Sequence, residues 1–253
     1  MRLLSLNCWG GQQGDIFFDY ISSETSRTDI FCFQEIYRSS APGTEYKRCR
    51  THLFEELQSI LKGHTAYFSL LRSQLCNGEP VDFNVEYGLA AFVSGRMELE
   101  EAETIPIVPQ SMSPDDGRAL QHLRFGGKAP FSVFNFHGLS LPGEKLDTPE
   151  RLMQSGLVAK ALVEKPGPKI LCGDFNLMPD TQSVRLLEEG MVNLIKTFDI
   201  KNTRNEISWQ FYNNRQYFAD YTFVSPEVKV KNFEVPYNLA SDHLPMVLEF
   251  ELQ

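Results

Sequence analysis

One segment constrains the fold of this chain most strongly: residues 169–176 read Lys-Ile-Leu-Cys-Gly-Asp-Phe-Asn. Its apolar run at 170–172 is typical of a short strand that is buried on both faces of a sheet. The run stops at Gly173, and Asp174 and Asn176 then stand two positions apart. On an extended backbone their side chains would point the same way at the rim of the sheet. The alternative is a turn in which Asp and Asn bond their own backbone, and these residues alone favour neither.

Polar side chains that suit catalysis also stand at the predicted ends of other strands. Glu35 lies near the end of the apolar run at 30–36, where a buried carboxylate is costly unless it is paired or bound to a metal. Taken alone, Glu35 is more simply interpreted as an exposed residue beyond the strand end. The other polar residues at strand ends are Asn7, His137, Asp220, Asp242 and His243.

The Thr-Pro dipeptide at 148–149 predicts a helix over residues 148–164, because threonine caps helices and proline fits the first helical position. Arg151, near the start of this helix, and Arg118, in a predicted hairpin, are candidate contacts for phosphate. Arginines at such positions are more often solvated charges, and we interpret both in that way. Arg204 lies in a polar loop and is a candidate substrate-binding residue that contacts phosphate.

The composition is that of an ordinary globular protein. The chain has 253 residues, of which 42% are hydrophobic and 23% are charged, and we expect residues 1–253 to form a single domain. The net charge of −9 argues against broad binding of nucleic acid, which depends on basic patches that neutralise phosphate. A small phosphorylated substrate, or a nucleic acid held through a local basic rim and a metal, remains compatible with this charge.

The cysteines and the amino terminus bear on the compartment. The five cysteines are odd in number, and Cys8, Cys32 and Cys172 stand in apolar runs, which favours buried free thiols in a reducing environment. The chain shows neither the pattern of a signal peptide nor an apolar run of membrane-spanning length. We therefore expect a cytoplasmic protein without a membrane span.

The set of polar residues at strand ends suits the hydrolysis of phosphate esters. A glutamate supplies the hard oxygen that Mg²⁺ prefers, and the metal polarises the phosphoryl oxygen and steadies the leaving group. An Asp–His pair supplies an imidazole whose tautomer is fixed by the carboxylate. Asn and His side chains donate hydrogen bonds to a crowded, negatively charged transition state.

Six short motifs together resemble the endonuclease/exonuclease/phosphatase superfamily, the deoxyribonuclease I-like, Mg-dependent phosphoesterases. They stand in the family's order from residue 6 to residue 243. The motifs are Leu-Asn-Cys-Trp-Gly at 6–10, Gln-Glu at 34–35, Asn-Phe-His-Gly at 135–138, Gly-Asp-Phe-Asn at 173–176, Asp-Tyr-Thr-Phe-Val-Ser at 220–225 and Ser-Asp-His at 241–243.

The resemblance implies a fold and a metal site. The fold is an α/β, four-layer α/β/β/α sandwich, in which two mixed sheets pack face to face with helices outside. Glu35 would be the main ligand of Mg²⁺, with Asn7 beside it and Asp242 assisting, and Mn²⁺ would be able to replace Mg²⁺.

The resemblance also implies catalytic roles. Asp174 would orient or deprotonate the attacking water, and Asn176 would bind the phosphoryl oxygen. His243, oriented by Asp220, would contact or protonate the phosphate, and His137 would contact the phosphate from the opposite side. Both Asp174 and His243 suit an in-line attack, so the sequence does not decide which of them is the base.

The natural substrate is left open by the motifs. We predict a Mg-dependent hydrolase of phosphodiester or phosphomonoester bonds that acts on a small molecule, a lipid headgroup or a nucleic acid. A stable grip on duplex DNA is not expected, since the chain is acidic and has no stretch rich in Lys and Arg. The alternatives are a DNA-repair endonuclease or exonuclease and a catalytically inactive binding module on the same fold. We expect a monomer.

Overall fold

The computed structural model describes residues 1–108, 118–210 and 216–252. Its framework is a pair of six-stranded sheets. The strands are, in chain order, β1 (Arg2–Asn7), β2 (Ile30–Ser39), β3 (His64–Ser73), β4 (Val85–Ser94), β5 (Leu99–Val108), β6 (Arg118–Phe125), β7 (Phe131–His137), β8 (Lys169–Asp174), β9 (Val192–Asn193), β10 (Asp220–Val224), β11 (Val228–Glu234) and β12 (Met246–Leu252). Short two-stranded hairpins at 45–50 and 75–80 are added at one end.

Both sheets are mixed, as predicted. The first sheet has the order β11-β12-β1-β2-β4-β3, and the second has the order β9-β10-β8-β7-β6-β5. β1 runs parallel to β2 in the first sheet, and β7 runs parallel to β8 in the second. The carboxyl ends of each parallel pair therefore lie at the same edge of their sheet.

Helices cover the outer faces of the sheets. They are α1 (Asp15–Glu24), α2 (Leu53–Ile60), α3 (Pro149–Glu164), α4 (Gln182–Glu188), α5 (Leu194–Thr197) and α6 (Glu206–Trp209), with a 3₁₀ turn at Trp9–Gly11. The predicted helix over 148–164 is confirmed as α3, and the Thr148 hydroxyl caps it by accepting a hydrogen bond of 3.2 Å from the backbone of Arg151. Within the described parts of the chain, no helix is long and apolar enough to cross a membrane.

The alternation of side chains along β1 shows how the layers are assembled. Leu3 faces the core between the sheets, which also contains Val133 of β7. Leu4 points to the opposite face and packs in a separate apolar cluster with Phe17 of α1 and Leu57 of α2. Each sheet thus has apolar contacts on both faces, and the predicted four-layer α/β/β/α sandwich is confirmed.

A glycine is required at the end of β8. Gly173 has φ 137°, which side chains rarely adopt, and a Cβ built there would lie 2.0 Å from the carbonyl oxygen of Phe136 on the neighbouring strand β7. The absence of a side chain lets β8 approach β7 closely, immediately before Asp174. The glycine therefore helps to fix the position of that carboxylate.

The cysteines agree with their prediction. All five are buried and free. Cys32 and Cys172 lie in the core between the sheets.

Candidate active site

The predicted site residues meet where the strands of both sheets end. His137 at the end of β7 is in register with Asp174 at the end of β8, and Asp174 is in register with Asp220 at the start of the antiparallel strand β10. Asn7, at the end of β1, reaches across from the other sheet and donates a hydrogen bond of 2.9 Å to Asp174 Oδ2. The strand-end pattern in the sequence thus corresponds to one cluster in space.

This cluster opens into a cleft of about 490 Å³, which we call the polar cleft. Asn7 and Asp220 lie behind the lining residues, which they contact. The predicted site residues that line the polar cleft are Glu35, His137, Asp174, Asn176, Arg204, Asp242 and His243.

Glu35 reaches the polar cleft through an irregularity in β2. The pairing with β4 shifts between Phe33 and Ile36, and Glu35 itself has φ 57°, so the strand carries a β-bulge at this point. The strand continues to Ser39 beyond the bulge. The interpretation of Glu35 as an exposed residue beyond the strand end is therefore wrong. Its side chain is 27% exposed and faces the cleft.

Asp174 and Asn176 form a turn, so the extended alternative is wrong. Asn176 has φ 53°, and its backbone N–H donates a hydrogen bond of 2.9 Å to Asp174 Oδ1. The two side chains nevertheless line the same cleft. Asn176 is oriented there by Lys145, whose ammonium donates a hydrogen bond to Asn176 Oδ1.

Asn7 connects the carboxylates of the two sheets. Its amide nitrogen donates to Glu35 Oε1 at 3.1 Å as well as to Asp174, while its oxygen accepts a bond of 2.9 Å from the backbone of Trp9. An amide oxygen has a second lone pair, so this arrangement remains compatible with a ligand role. The role of Asn7 at a metal stays a prediction.

His243 is held by two carboxylates in different ways. Its Nδ1 donates a hydrogen bond of 2.8 Å to Asp220 Oδ2, and its Nε2 lies 3.8 Å from Asp174 Oδ2. Burial alone would lower the pKa of His243, but the negative charges of Asp220, Asp242 and Asp174 outweigh it and raise the pKa to about 9. The imidazole is therefore a cation at neutral pH.

His137 differs electrostatically from His243. Its Nε2 lies 3.5 Å from Asp174 Oδ2, and its Nδ1 lies 3.2 Å from the Tyr87 hydroxyl. Burial and the nearby charge of Arg118 lower the pKa of His137 to about 3. This imidazole is neutral at physiological pH, so the two histidines beside Asp174 have different charges.

The pKa values of the two carboxylates Glu35 and Asp174 are also shifted in opposite directions. Burial and the charge of Asp242 raise the pKa of Glu35 to about 6. Burial also acts to raise the pKa of Asp174, but the positive charge of His243 and the other basic groups around it lower the pKa below its usual range. Asp174 is thus an ionised hydrogen-bond acceptor surrounded by basic groups. Glu35 is buried near another carboxylate, so its negative charge is less well compensated.

These residues fit a divalent cation. Oxygen atoms of Glu35 and Asp174 and a nitrogen of His137 lie within 4.8 Å of one another, and this group has the geometry of a possible ion site. The raised pKa of Glu35 reflects its burial first and the nearby negative charge of Asp242 second, and a bound cation would offset both effects. Carboxylate oxygens are the ligands that Mg²⁺ prefers.

Arg204 and Asp242 form a buried ion pair at the edge of the cleft. Arg204 Nη2 lies 3.0 Å from Asp242 Oδ2, and the backbone of Arg204 bridges to that of His243. The positions of Arg204 and Asp242 beside the cleft agree with their predicted use. Their roles toward phosphate and metal stay predictions.

Several basic residues near the site were missed or misinterpreted from the sequence. Arg118 and Arg151 are only 4% and 1% exposed, so their interpretation as solvated charges is wrong. Arg118 lines the polar cleft, whereas Arg151 binds backbone carbonyls behind it. Lys145 also lines the cleft, and no local pattern marked it, because it stands in a loop without periodicity.

The sequence was compared with protein families and with curated proteins, and the fold was compared with solved structures. The sequence matches the Endonuclease/Exonuclease/phosphatase family over residues 4–243. No protein of curated function matches the sequence significantly. The structure of an endonuclease/exonuclease/phosphatase from Beutenbergia cavernae has a TM-score of 0.74 at 17% identity, over 100% of this chain and 71% of the other.

Two further solved structures are similar over this whole chain. A mannosyl-6-phosphatase from Bacteroides thetaiotaomicron has a TM-score of 0.70 and 18% identity, with 100% of both chains covered. The human Nocturnin catalytic domain with bound sulfate anion has a TM-score of 0.71 and 18% identity, over 100% of this chain and 93% of the other. At such identities these similarities establish the fold alone.

Proposed function

Since the chain belongs to the Endonuclease/Exonuclease/phosphatase family, we propose that it hydrolyses phosphate esters with the help of a divalent metal ion, Mg²⁺ or Mn²⁺. The observation that carries this proposal is the convergence of Glu35, Asp174 and His243 in one cleft, where each is held by buried partners. A binding module would not require this combination of an ionised carboxylate and a cationic imidazole 3.8 Å apart.

Glu35 would hold the metal, with Asn7 and Asp242 beside it. When bound, Mg²⁺ supplies a Lewis acid that polarises a phosphoryl oxygen and stabilises the leaving group. The side chain of Glu35 is partly exposed to the cleft, so an ion and a substrate have access to its carboxylate. The Asn7 amide keeps Glu35 and Asp174 in a fixed relation, since it donates a hydrogen bond to each of them.

Asp174 would act on the water. Its Oδ1 already accepts the backbone N–H of Asn176 and its Oδ2 accepts Asn7, so the carboxylate is fixed before substrate arrives. The lowered pKa of Asp174 keeps it ionised, which suits a residue that accepts a hydrogen bond from the attacking water and orients it. We assign the base to Asp174 rather than to His243, since a cationic imidazole has no free lone pair to accept a proton.

His243 and Asn176 would hold the phosphoryl group. The protonated imidazole, oriented by Asp220, donates its Nε2–H toward the charge that develops in the transition state. Asn176 lies in the same cleft and has an amide N–H₂ for a phosphoryl oxygen, while His137 Nε2 lies 3.5 Å from Asp174 Oδ2, the oxygen that His243 also approaches. Attack would then occur in line, with donors around the equatorial oxygens.

The test is hydrolysis of p-nitrophenyl phosphate and bis-p-nitrophenyl phosphate with Mg²⁺, with Mn²⁺ and with EDTA. We expect metal-dependent release of nitrophenol by the wild type and a loss of at least about 100-fold in Asp174→Asn, which keeps the shape but removes the charge. Asp199→Asn is the matched control, because Asp199 is 82% exposed and does not line the cleft.

The outcomes separate the alternatives. Equal activity of Asp174→Asn and wild type would exclude the assigned role of this carboxylate. Activity that persists in EDTA would exclude the metal. If neither ester is hydrolysed, single-stranded and duplex oligonucleotides are the next substrates, since a DNA-repair nuclease is the alternative within the same family.

A further inference from the structure

Lys145 is an unusual cation in the polar cleft. The residue is only 5% exposed, yet it lines the cleft beside Asn176 and Asp174. An ammonium can donate three hydrogen bonds, and the oxygen of Asn176, a neutral group, accepts one of them. Among residues 1–108, 118–210 and 216–252, no carboxylate forms a direct ion pair with Lys145, whereas the neighbouring Arg204 is paired with Asp242. A buried charge without a direct counter-charge is costly and suits a site that receives an anion.

The backbone holds this lysine in place. Lys145 has φ 58°, a left-handed conformation that costs energy for a residue with a side chain. Its carbonyl oxygen accepts a hydrogen bond of 2.8 Å from the backbone N–H of Met178, which lies just beyond the Asp174 turn. The loop that carries Lys145 is therefore bound to the segment that carries Asp174 and Asn176.

Arg151 fixes the rest of the same loop. Its guanidinium donates to the backbone oxygens of Leu139, Pro142 and Leu146, at 3.2, 2.6 and 2.7 Å respectively. These three carbonyls lie on both sides of Lys145 in the sequence. The ammonium is thus presented by a loop whose shape is set before any ligand binds, which lowers the entropic cost of binding.

Phosphomonoesters and phosphodiesters make different demands on such a group. A phosphomonoester at neutral pH has three acceptor oxygens and a charge of about −2. A phosphodiester has only two terminal oxygens and a single negative charge, because its other two oxygens each carry a carbon substituent. The proposed metal, Asn176 and His243 already contact the phosphoryl group. The additional buried cation, Lys145, therefore favours the phosphomonoester, which has one more charged oxygen.

We propose that Lys145, with Asn176, forms a subsite for a terminal oxygen of a dianionic phosphate, and that the substrates of the polar cleft are phosphomonoesters rather than phosphodiesters. This inference rests on the proposed function of the same site and specifies its substrate class. Arg118 also lines the cleft and is close enough to His137 for its positive charge to lower the pKa of that residue, so it adds positive charge to the same cleft.

The test measures binding as well as catalysis. Isothermal titration calorimetry with Mg²⁺ present compares inorganic phosphate with dimethyl phosphate, on the full chain and on Lys145→Met. We expect the variant to bind inorganic phosphate about 10- to 100-fold more weakly, since a hydrogen bond to a charged group contributes this much, and to bind dimethyl phosphate nearly as the wild type does. Lys145→Arg should retain part of the affinity for phosphate.

Catalysis is compared with substrates that share one leaving group, p-nitrophenyl phosphate and methyl p-nitrophenyl phosphate. We expect the wild type to prefer the monoester, and Lys145→Met to lose kcat/KM selectively on it. Lys160→Met is the control, because Lys160 is 70% exposed on α3. Thermal unfolding of each variant shows whether it is folded.

Two results would overturn the inference: equal loss for both anions in Lys145→Met, or no loss for either. Wild-type preference for the diester would also overturn it, while metal-dependent hydrolysis of that diester would leave the proposed function standing. Conversely, binding of inorganic phosphate that depends on Lys145, without hydrolysis of either ester or of oligonucleotides, would support the subsite and remove the proposed function. The two failures are therefore distinguishable.

Discussion

Asp220 and His243 form a buried hydrogen bond of 2.8 Å that joins the two sheets of the sandwich at the polar cleft. Asp220 begins β10 in the second sheet, and His243 stands just before β12 in the first. Their contact places the imidazole 3.8 Å from Asp174, which belongs to the same sheet as Asp220. The orientation and the charge of His243 therefore both depend on the packing of one sheet on the other.

Asp220→Asn should lower the pKa of His243. The wild-type value of about 9 lies above the ordinary value of 6.5, and the charge of Asp220 is the largest of the causes that raise it. Histidine NMR signals of the metal-free protein, titrated from pH 5 upward, measure the change directly. The expected order is a higher midpoint in the wild type than in Asp220→Asn, with Asp199→Asn unchanged.

The pH dependence of activity should change in the same direction as the pKa of His243. His243 acts in its protonated form in the proposed mechanism, so activity should fall as pH rises through the pKa of His243, and it should fall at lower pH in Asp220→Asn. Identical alkaline limbs in the two proteins would show that the protonation of His243 does not control the reaction.

Glu35→Gln should stabilise the metal-free protein at neutral pH. The pKa of Glu35 in the folded chain is raised from 4.5 to about 6, so over that interval the unfolded chain releases its proton first. Stability therefore falls as pH rises through this window, by about 1–2 kcal/mol after allowance for partial exposure. Urea unfolding in EDTA at neutral pH should show the variant to be more stable by about this amount, and the difference should vanish below pH 4.5.

Bound Mg²⁺ should reverse the order of stability of the wild type and Glu35→Gln. A cation bound at Glu35 offsets the cost of burying its negative charge beside Asp242, so Mg²⁺ should raise the melting temperature of the wild type and leave that of Glu35→Gln almost unchanged. Glu56→Gln is a control, because Glu56 pairs with Arg50 away from the cleft. Equal stabilisation of the wild type and Glu35→Gln by Mg²⁺ would place the ion elsewhere.

The sequence predicted those parts of the site that depend on strand ends. Asn7, His137 and Asp174 stand at the ends of short apolar runs, and the ends of parallel strands meet at one edge of a sheet. The fold class was implied by the family resemblance that the six ordered motifs carry. Local pattern and strand topology coincide at these positions, so the sequence alone indicated that these residues would lie together.

The remaining features depend on contacts between distant segments. The bulge that turns Glu35 toward the cleft is a matter of pairing between β2 and β4, which no local pattern of residues 30–36 reveals. Arg151 was interpreted as solvated because its neighbours in sequence form an exposed helix start, whereas its partners are carbonyls of the preceding loop. Lys145 owes its burial to the same loop.

Arg151→Met should destabilise the protein and weaken its binding of phosphate together. The substitution leaves the backbone oxygens of Leu139, Pro142 and Leu146 without their donor, and we expect a loss of about 3 kcal/mol in the free energy of unfolding. Urea denaturation of this variant and of Arg124→Met, at an arginine that is 57% exposed, measures the difference. A stable variant with normal phosphate affinity would show that the loop keeps its shape without the guanidinium.

Gly173→Ala should be among the most damaging single substitutions in the chain. The added Cβ would lie 2.0 Å from the oxygen of Phe136, and the φ of 137° is unfavourable for any side chain. Since β7 is bonded to β8 on this side, relief requires the two strands to separate beside Asp174. We expect a loss of about 3 kcal/mol or more, or failure to accumulate as a folded protein, measured by urea unfolding and by soluble yield.

Gly156→Ala is the matched control for this prediction. Gly156 lies within α3, and nothing stands within 4 Å of a Cβ built on it. Alanine restricts the unfolded chain and favours the helix, so this variant should be more stable than the wild type by about 0.5–1 kcal/mol. The same chemical change should thus have opposite signs at the two glycines. If the midpoint of urea unfolding of Gly173→Ala equals that of the wild type, the close approach of β8 to β7 is not what positions Asp174.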